Sequence, residues 1–121
     1  MQIESLMSNQ IERYLNLAAS ETRLTAQNMA NIDTPGYRAV GMDFEAEMGR
    51  AISDSEAGRD AQAVHVAFED GLIARPDGNN VSMDRESLNL AETQLRYRTG
   101  ITLLKQQYQI TMNAIHADGG K

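Results

Sequence analysis

The chain has 121 residues, a net charge of −6, seven methionines, two phenylalanines, no tryptophan and no cysteine. That is one ordinary domain by length, poorly supplied for a large compact core. Both charge signs are interspersed, which excludes the clustered Lys/Arg face that nucleic acid requires and any attraction to an anionic membrane surface. The absence of cysteine excludes disulfides and thiol catalysis.

In chain order, MQIESLMSNQIERYLN carries Glu4 and Glu12 and has neither a basic leader nor an apolar h-region, so it does not read as a cleaved secretory signal. No stretch approaches the roughly 18 apolar residues of a membrane span. These features point to the cytoplasm, or to export by a route without a cleaved leader. Between about Ser8 and Ile32, Ile11, Tyr14, Leu15, Ala18, Thr22, Thr25, Met29 and Ile32 recur at three, four and seven, the pattern of one helical stripe. Leu17 and Leu24 form a second flank one heptad apart.

The helix is expected to stop at Asn31, which tolerates the left-handed conformation of a helix end. Thr34 precedes a proline and is biased to extended geometry. Pro35-Gly36 fits the two central positions of a type II turn, where glycine supplies the positive φ. Asn28 and Asn31 are expected to satisfy backbone groups at the helix end, and Tyr37 to anchor the outgoing chain.

From about Ala39 to Val81 the pattern changes to turn-formers and charges. Val64, Val66 and Phe68 alternate as on a short strand, so one short hairpin at most is expected, with loops from about Ser53 to Asp60 mobile. Helix returns from Asp84 to about His116, capped by Ser82 or Asp84. At about 1.5 Å per residue it would be near 50 Å long. One stripe runs Leu90, Tyr97, Ile101, Leu104, Tyr108, Met112 and Ile115. A second, on roughly the opposite side, runs Leu88, Ala91 and Leu95, with Leu103 and Ile110 continuing it less well.

The expected fold is mainly α. Segments 1–38 and 82–121 supply two long helices pairing as an antiparallel hairpin, with an irregular segment 39–81 between them. Pairing would hide one stripe of each helix. The second stripes would then be covered either by the middle segment folding back or by other subunits, as exposed apolar strips usually are.

Chemistry finds little support. His65 and His116 lie far apart and form no metal-ligand pair. Asp77-Gly78-Asn79-Asn80 begins like a calcium loop, but Val81 holds a ligand position and Ser82 the turn glycine's place. Asp43, Glu45 and Glu47 would share a face if extended, without the apolar pocket that acid–base work needs. No catalytic residue, metal site or cofactor site is expected, and no small-molecule substrate.

The motif Asn28-x-x-Asn31-x-x-Thr34-Pro35-Gly36-Tyr37-Arg38 resembles the N-terminal signature of the bacterial flagellar rod, hook and hook–filament junction proteins. The stretch Asp77-Gly78-Asn79-Asn80-Val81 through Asp84-Arg85-Glu86, then Leu90-Ala91-Glu92-x-Gln94-Leu95-Arg96-Tyr97, is similar to the proximal-rod members of that family. Thr93 stands where those members often have asparagine, and Arg98 where they often have glutamine.

The resemblance implies a non-enzymatic structural subunit of the basal-body rod whose terminal helices pack with neighbours. It implies as partners further copies of the chain, the rod proteins FlgC, FlgF and FlgG, the adaptor FliE and the flagellar type III export apparatus. Export would be uncleaved; Ile3, Leu6 and Met7 serve either that export or an apolar helix face. The competing expectation is a soluble helical-hairpin adaptor or secretion chaperone that binds one partner helix and gives the corner no role.

Overall fold

The computed structural model describes residues 2–119, with side chains from Ser5 onward. The order is α1 (Gln2–Ala30), β1 (Val40–Gly41), α2 (Phe44–Glu56), β2 (Ala67–Phe68) and α3 (Met83–Gly119). It is mainly helical, with the two long terminal helices packed on each other. Their contacts run in opposite directions along the two chains, from Asn28 at Glu86, through Glu21 at Arg96, to Leu15 at Gly100, so the pair is antiparallel. At 37 residues α3 is about 55 Å long. Its start is set by Ser82, whose carbonyl accepts from Glu86 N–H at 2.9 Å and whose hydroxyl accepts from Arg85 N–H at 3.3 Å.

The middle segment is more ordered than its composition suggests. Asp43 caps α2 by accepting from Ala46 N–H at 3.1 Å, and Glu45 and Glu47 lie in the first turn, where the helix dipole favours them. The three carboxylates therefore do not share an extended face. Gly58, at φ 71°, closes α2 with its N–H on Ser55 O. The stretch from Ser53 to Asp60, expected as loop, is helical to Glu56 and hydrogen-bonded beyond it. Ser55 Oγ donates to Asn9 Oδ1 at 2.7 Å, and Arg13 Nη2 donates to Arg59 O at 2.6 Å.

The two strands pair antiparallel, Val40 with Phe68 and Gly41 with Ala67, so they clamp the two ends of the α2 excursion and form no local hairpin. Phe68 remains exposed beneath the Arg38 guanidinium, 4.1 Å from its ring centroid.

The apolar core is small. Leu17, Ala18 and Phe44 are buried, with Tyr14, Met42, Met48, Ala51 and Val64 around them. Phe44 is the junction of all three helices: Tyr14 meets it edge-on at 5.4 Å, and Arg96 lies over its ring at 4.1 Å while donating to Glu21 at 2.6 Å.

The middle segment covers α1, burying Leu17 and half-burying Leu24, but it meets α3 at Arg85 and Arg96 and leaves Leu88, Leu95, Tyr97, Leu104 and Tyr108 exposed. The face that α3 turns to α1 is neither of its apolar stripes. It is Glu86, Thr93, Gly100 and Gln107, seven residues apart and all buried. Opposite them lie Ala18, Thr25 and Asn28, also buried. This corrects the expectation that pairing hides one of the two apolar stripes of α3.

The cause is steric and polar together. Gly100 lets the helices approach so closely that an added Cβ would lie 2.5 Å from Leu15 Cδ2 and 3.0 Å from Tyr14 Cδ1. Thr93 is fully buried, and its hydroxyl is satisfied by its own helix at Asn89 O, 2.7 Å away. The seam is narrow, with a cross-helix hydrogen bond at Glu86–Asn28 and close apolar contact at Gly100. Gly100→Leu should therefore lower stability by about 1–3 kcal/mol in denaturant unfolding, although leucine is the better helix former by about 0.8 kcal/mol. An unfolding midpoint at or above the parent's would show that no tight crossing exists there.

Candidate functional site

The corner after α1 is built by two segments that are forty residues apart in sequence. In the first, Pro35 and Gly36 occupy the centre of a type II turn: Gly36 has φ 75°, and Tyr37 N–H donates to Thr34 O at 3.2 Å. Asn31 does not enter the left-handed region, since among the described residues only glycines have positive φ. Its carboxamide instead donates to Gln27 O at 2.8 Å and accepts from Thr34 Oγ1 at 3.0 Å, tying the turn to the last helical carbonyls.

The second segment, Arg75 to Val81, embraces the first. Asn79 is fully buried and donates to both Asn31 O and Thr34 O at 2.8 Å, while its Oδ1 accepts from Val81 N–H. Asp77 O accepts from Gly36 N–H at 2.8 Å. Asn80 exchanges with the outgoing chain, taking Ala39 N–H on its side chain at 2.6 Å and giving its own N–H to Tyr37 O at 3.2 Å. Arg75 spans the clasp by donating to Val81 O and to Ile32 O. Gly36 and Gly78 face each other: a Cβ on Gly78 would sit 3.3 Å from Gly36 Cα, and Gly78 has φ 86°. The Asp-Gly-Asn-Asn stretch is thus more than a turn into α3; it is the other half of the corner.

Asn28 is the centre. It does not serve the helix end as expected. Its Nδ2 donates to Val40 O at 2.7 Å and to Glu86 Oε1 at 3.0 Å, and its Oδ1 accepts from Val40 N–H at 3.0 Å and Tyr37 OH at 3.3 Å. One buried carboxamide uses its full bonding capacity to join α1, β1, α3 and the turn. Glu86, its partner, reads in the sequence as a first-turn acid of α3 and not as a seam residue, although a charged residue starting a seven-residue series of small and polar positions was visible there. Burial pushes the Glu86 carboxyl above its ordinary range; the Asn28 bond opposes this, and the Glu69 carboxylate adds to it.

The proposed interface residues divide by helix. On α1, Leu17 is in the core, and Ile11, Leu15 and Leu24 are half-buried. On α3, Leu90 and Met112 are half-buried, while Leu88 (60%), Leu95 (66%), Tyr97, Ile101, Leu104, Tyr108 (67%) and Ile115 are exposed. With about 100° between successive residues, the Leu90–Ile115 line flanks the seam on one side, and Leu88 and Leu95, about 160° from it, lie on the face of α3 turned away from α1. Leu6 and Met7 are exposed at the start of α1, and the Ile3 side chain lies outside the described ones. Among the described residues, no group of three or more His, Asp or Glu converges on a metal position, and no helix is long and apolar enough to cross a membrane. His65 sits on the surface beside Arg50 and Glu47. His116 is in the last turn of α3.

The site is thus a clasped corner on an antiparallel helix pair in which α3 leaves apolar side chains exposed. No family profile matches the chain. It is 36% identical over 119 residues to the flagellar basal body rod protein FlgB of Salmonella typhimurium, covering 84% of this chain and 86% of that one. It is 32% identical over 126 residues to FlgB of Escherichia coli K12, covering 85% and 88%, and 36% identical over 115 residues to FlgB of Cereibacter sphaeroides, covering 84% and 89%. The chain belongs to the FlgB family of flagellar basal body rod proteins.

Replacing Asn28 by Ala removes four hydrogen bonds and leaves Val40 and Glu86 unpartnered in the interior. A loss of about 2–4 kcal/mol is expected by thermal or denaturant unfolding. Asn31→Ala, at a half-exposed site, should cost under about 1 kcal/mol. Equal costs would mean that Asn28 is not the centre of the clasp.

Proposed function

We propose that the chain is a structural subunit of the proximal rod, joining the membrane-embedded base of the flagellum to the distal rod and passing torque outward. It acts as one axial domain: the helix pair enters a shared helical layer, and segment 39–81 leaves that layer at the angle fixed by the clasp. The observation that carries this reading is the placement of apolar surface on α3. Leu88 and Leu95 on the face turned away from α1, and Tyr97, Ile101, Leu104, Tyr108 and Ile115 beside the seam that α1 already fills, lie bare. A helix so disposed has room for two lateral neighbours, and burying such strips is the main favourable term in association.

The neighbours in this reading are further copies of the chain, the rod proteins FlgC, FlgF and FlgG, and the adaptor FliE. The subunit reaches the periplasmic rod through the flagellar type III export apparatus without cleavage. Its work is mechanical and involves no catalysis or cofactor.

Leu95→Glu places a charge on a face that is solvated in the isolated chain. The circular dichroism spectrum and unfolding midpoint of the purified chain should be unchanged, while swimming and rod assembly fail in cells that carry only this variant. Normal swimming would remove α3's outer face from the assembly. At the corner, Gly36→Val demands a strained positive φ costing about 1–3 kcal/mol and should impair swimming more than Glu56→Ala at the exposed end of α2. Comparable swimming by the two would count against a mechanical role for the corner.

A further inference from the structure

Glu86 is 1% exposed, and the cation beside it, Arg85, is shared with Glu69. Its Oε1 takes one hydrogen bond, from Asn28 Nδ2, and its Oε2 is buried with no partner. Asn28 has no further donor to offer, because its second amide hydrogen is held by Val40 O. The charged groups facing the carboxyl come from two elements. On α3 itself Arg85 is adjacent, but its guanidinium is engaged by Glu69 Oε2 at 2.8 Å. Glu69, just after β2, is a second carboxylate beside it. From α1 the contact is the neutral Asn28 amide, with the Tyr37 hydroxyl one hydrogen bond further on. Asn89 on α3 adds only an amide. An ionised carboxylate placed so lacks water and has only a shared counter-ion.

We propose that Glu86 is a proton-controlled latch on the corner: with its carboxyl neutral the junction of α1, β1 and α3 is closed, and ionisation loosens it. The chain that transmits the change is short, since the amide that meets Glu86 also holds both backbone groups of Val40. Burial, the largest cause, raises the folded-state value above the ordinary glutamate range. Stability from the neutral form is therefore fully present below the unfolded glutamate value and is lost as pH rises through the raised folded value. The direction is opposite to that of a salt-bridged carboxylate. The latch does not depend on which rod position the chain occupies.

The test uses the full chain and Glu86→Gln, melted from pH 4 to pH 8, together with hydrogen exchange at Val40 N–H corrected for its intrinsic pH dependence. The parent should lose about 3–5 °C relative to the variant between pH 4 and pH 7, and Val40 protection should fall with pH in the parent alone. Glu69→Gln removes the like charge and releases Arg85, so it should move the transition to lower pH. A constant difference between the two melting curves across the range would overturn the proposal. If Glu86→Gln does not fold, carbon NMR of the Glu86 carboxyl in the parent decides: a midpoint above the ordinary glutamate range supports the latch, and one within it refutes it.

Discussion

The molecule is organised around one carboxamide. Asn28 sits in the last turn of α1 and satisfies four groups belonging to β1, α3 and the turn between α1 and β1. In a chain whose buried apolar cluster amounts to Leu17, Ala18 and Phe44, such a node does what a larger core does elsewhere. A buried amide is unfavourable when unpaired and specific when fully paired. The geometry that pairs all four groups therefore fixes the exit angle of the chain and the rotation of α3 together.

That rotation has a consequence for the whole surface. Because Glu86 must meet Asn28, α3 presents Thr93, Gly100 and Gln107 to α1, and its leucines, isoleucines and tyrosines fall beside or opposite that face. A helix free to choose its partner face by oil alone would turn the Leu90–Ile115 line inward. The clasp prevents this, and Gly100 rewards the alternative with a close crossing. Cohesion within the subunit thus rests largely on long-range polar contacts at the clasp, and much of the apolar surface of α3 stays exposed.

Much of this was legible in the sequence. The two long helices follow from unbroken three-and-four periodicity, and the type II turn from Thr34-Pro35-Gly36-Tyr37. What escaped was α2, although Phe44, Met48, Ala51 and Ser55 fall at helical spacing behind an Asp43 cap and before Gly58. The alternation of three acids at Asp43, Glu45 and Glu47 mimicked a strand and hid it. The seam also escaped, because a periodicity count weighs large apolar residues and overlooks a line of Glu, Thr, Gly and Gln. Asn79 and Asn80 were read as a turn because their partners lie some forty residues away, and no local pattern shows a long-range hydrogen bond.

The central claim is that both apolar stripes of α3 are wet in the lone subunit and become dry in the assembled rod. Hydroxyl-radical footprinting of the purified chain at low concentration, set beside intact basal bodies, tests it most directly at Leu95, Tyr97 and Tyr108. The expected result is strong labelling of all three in the isolated chain and protection in the rod. Protection already present in the monomer, or equal labelling in both states, would contradict the claim.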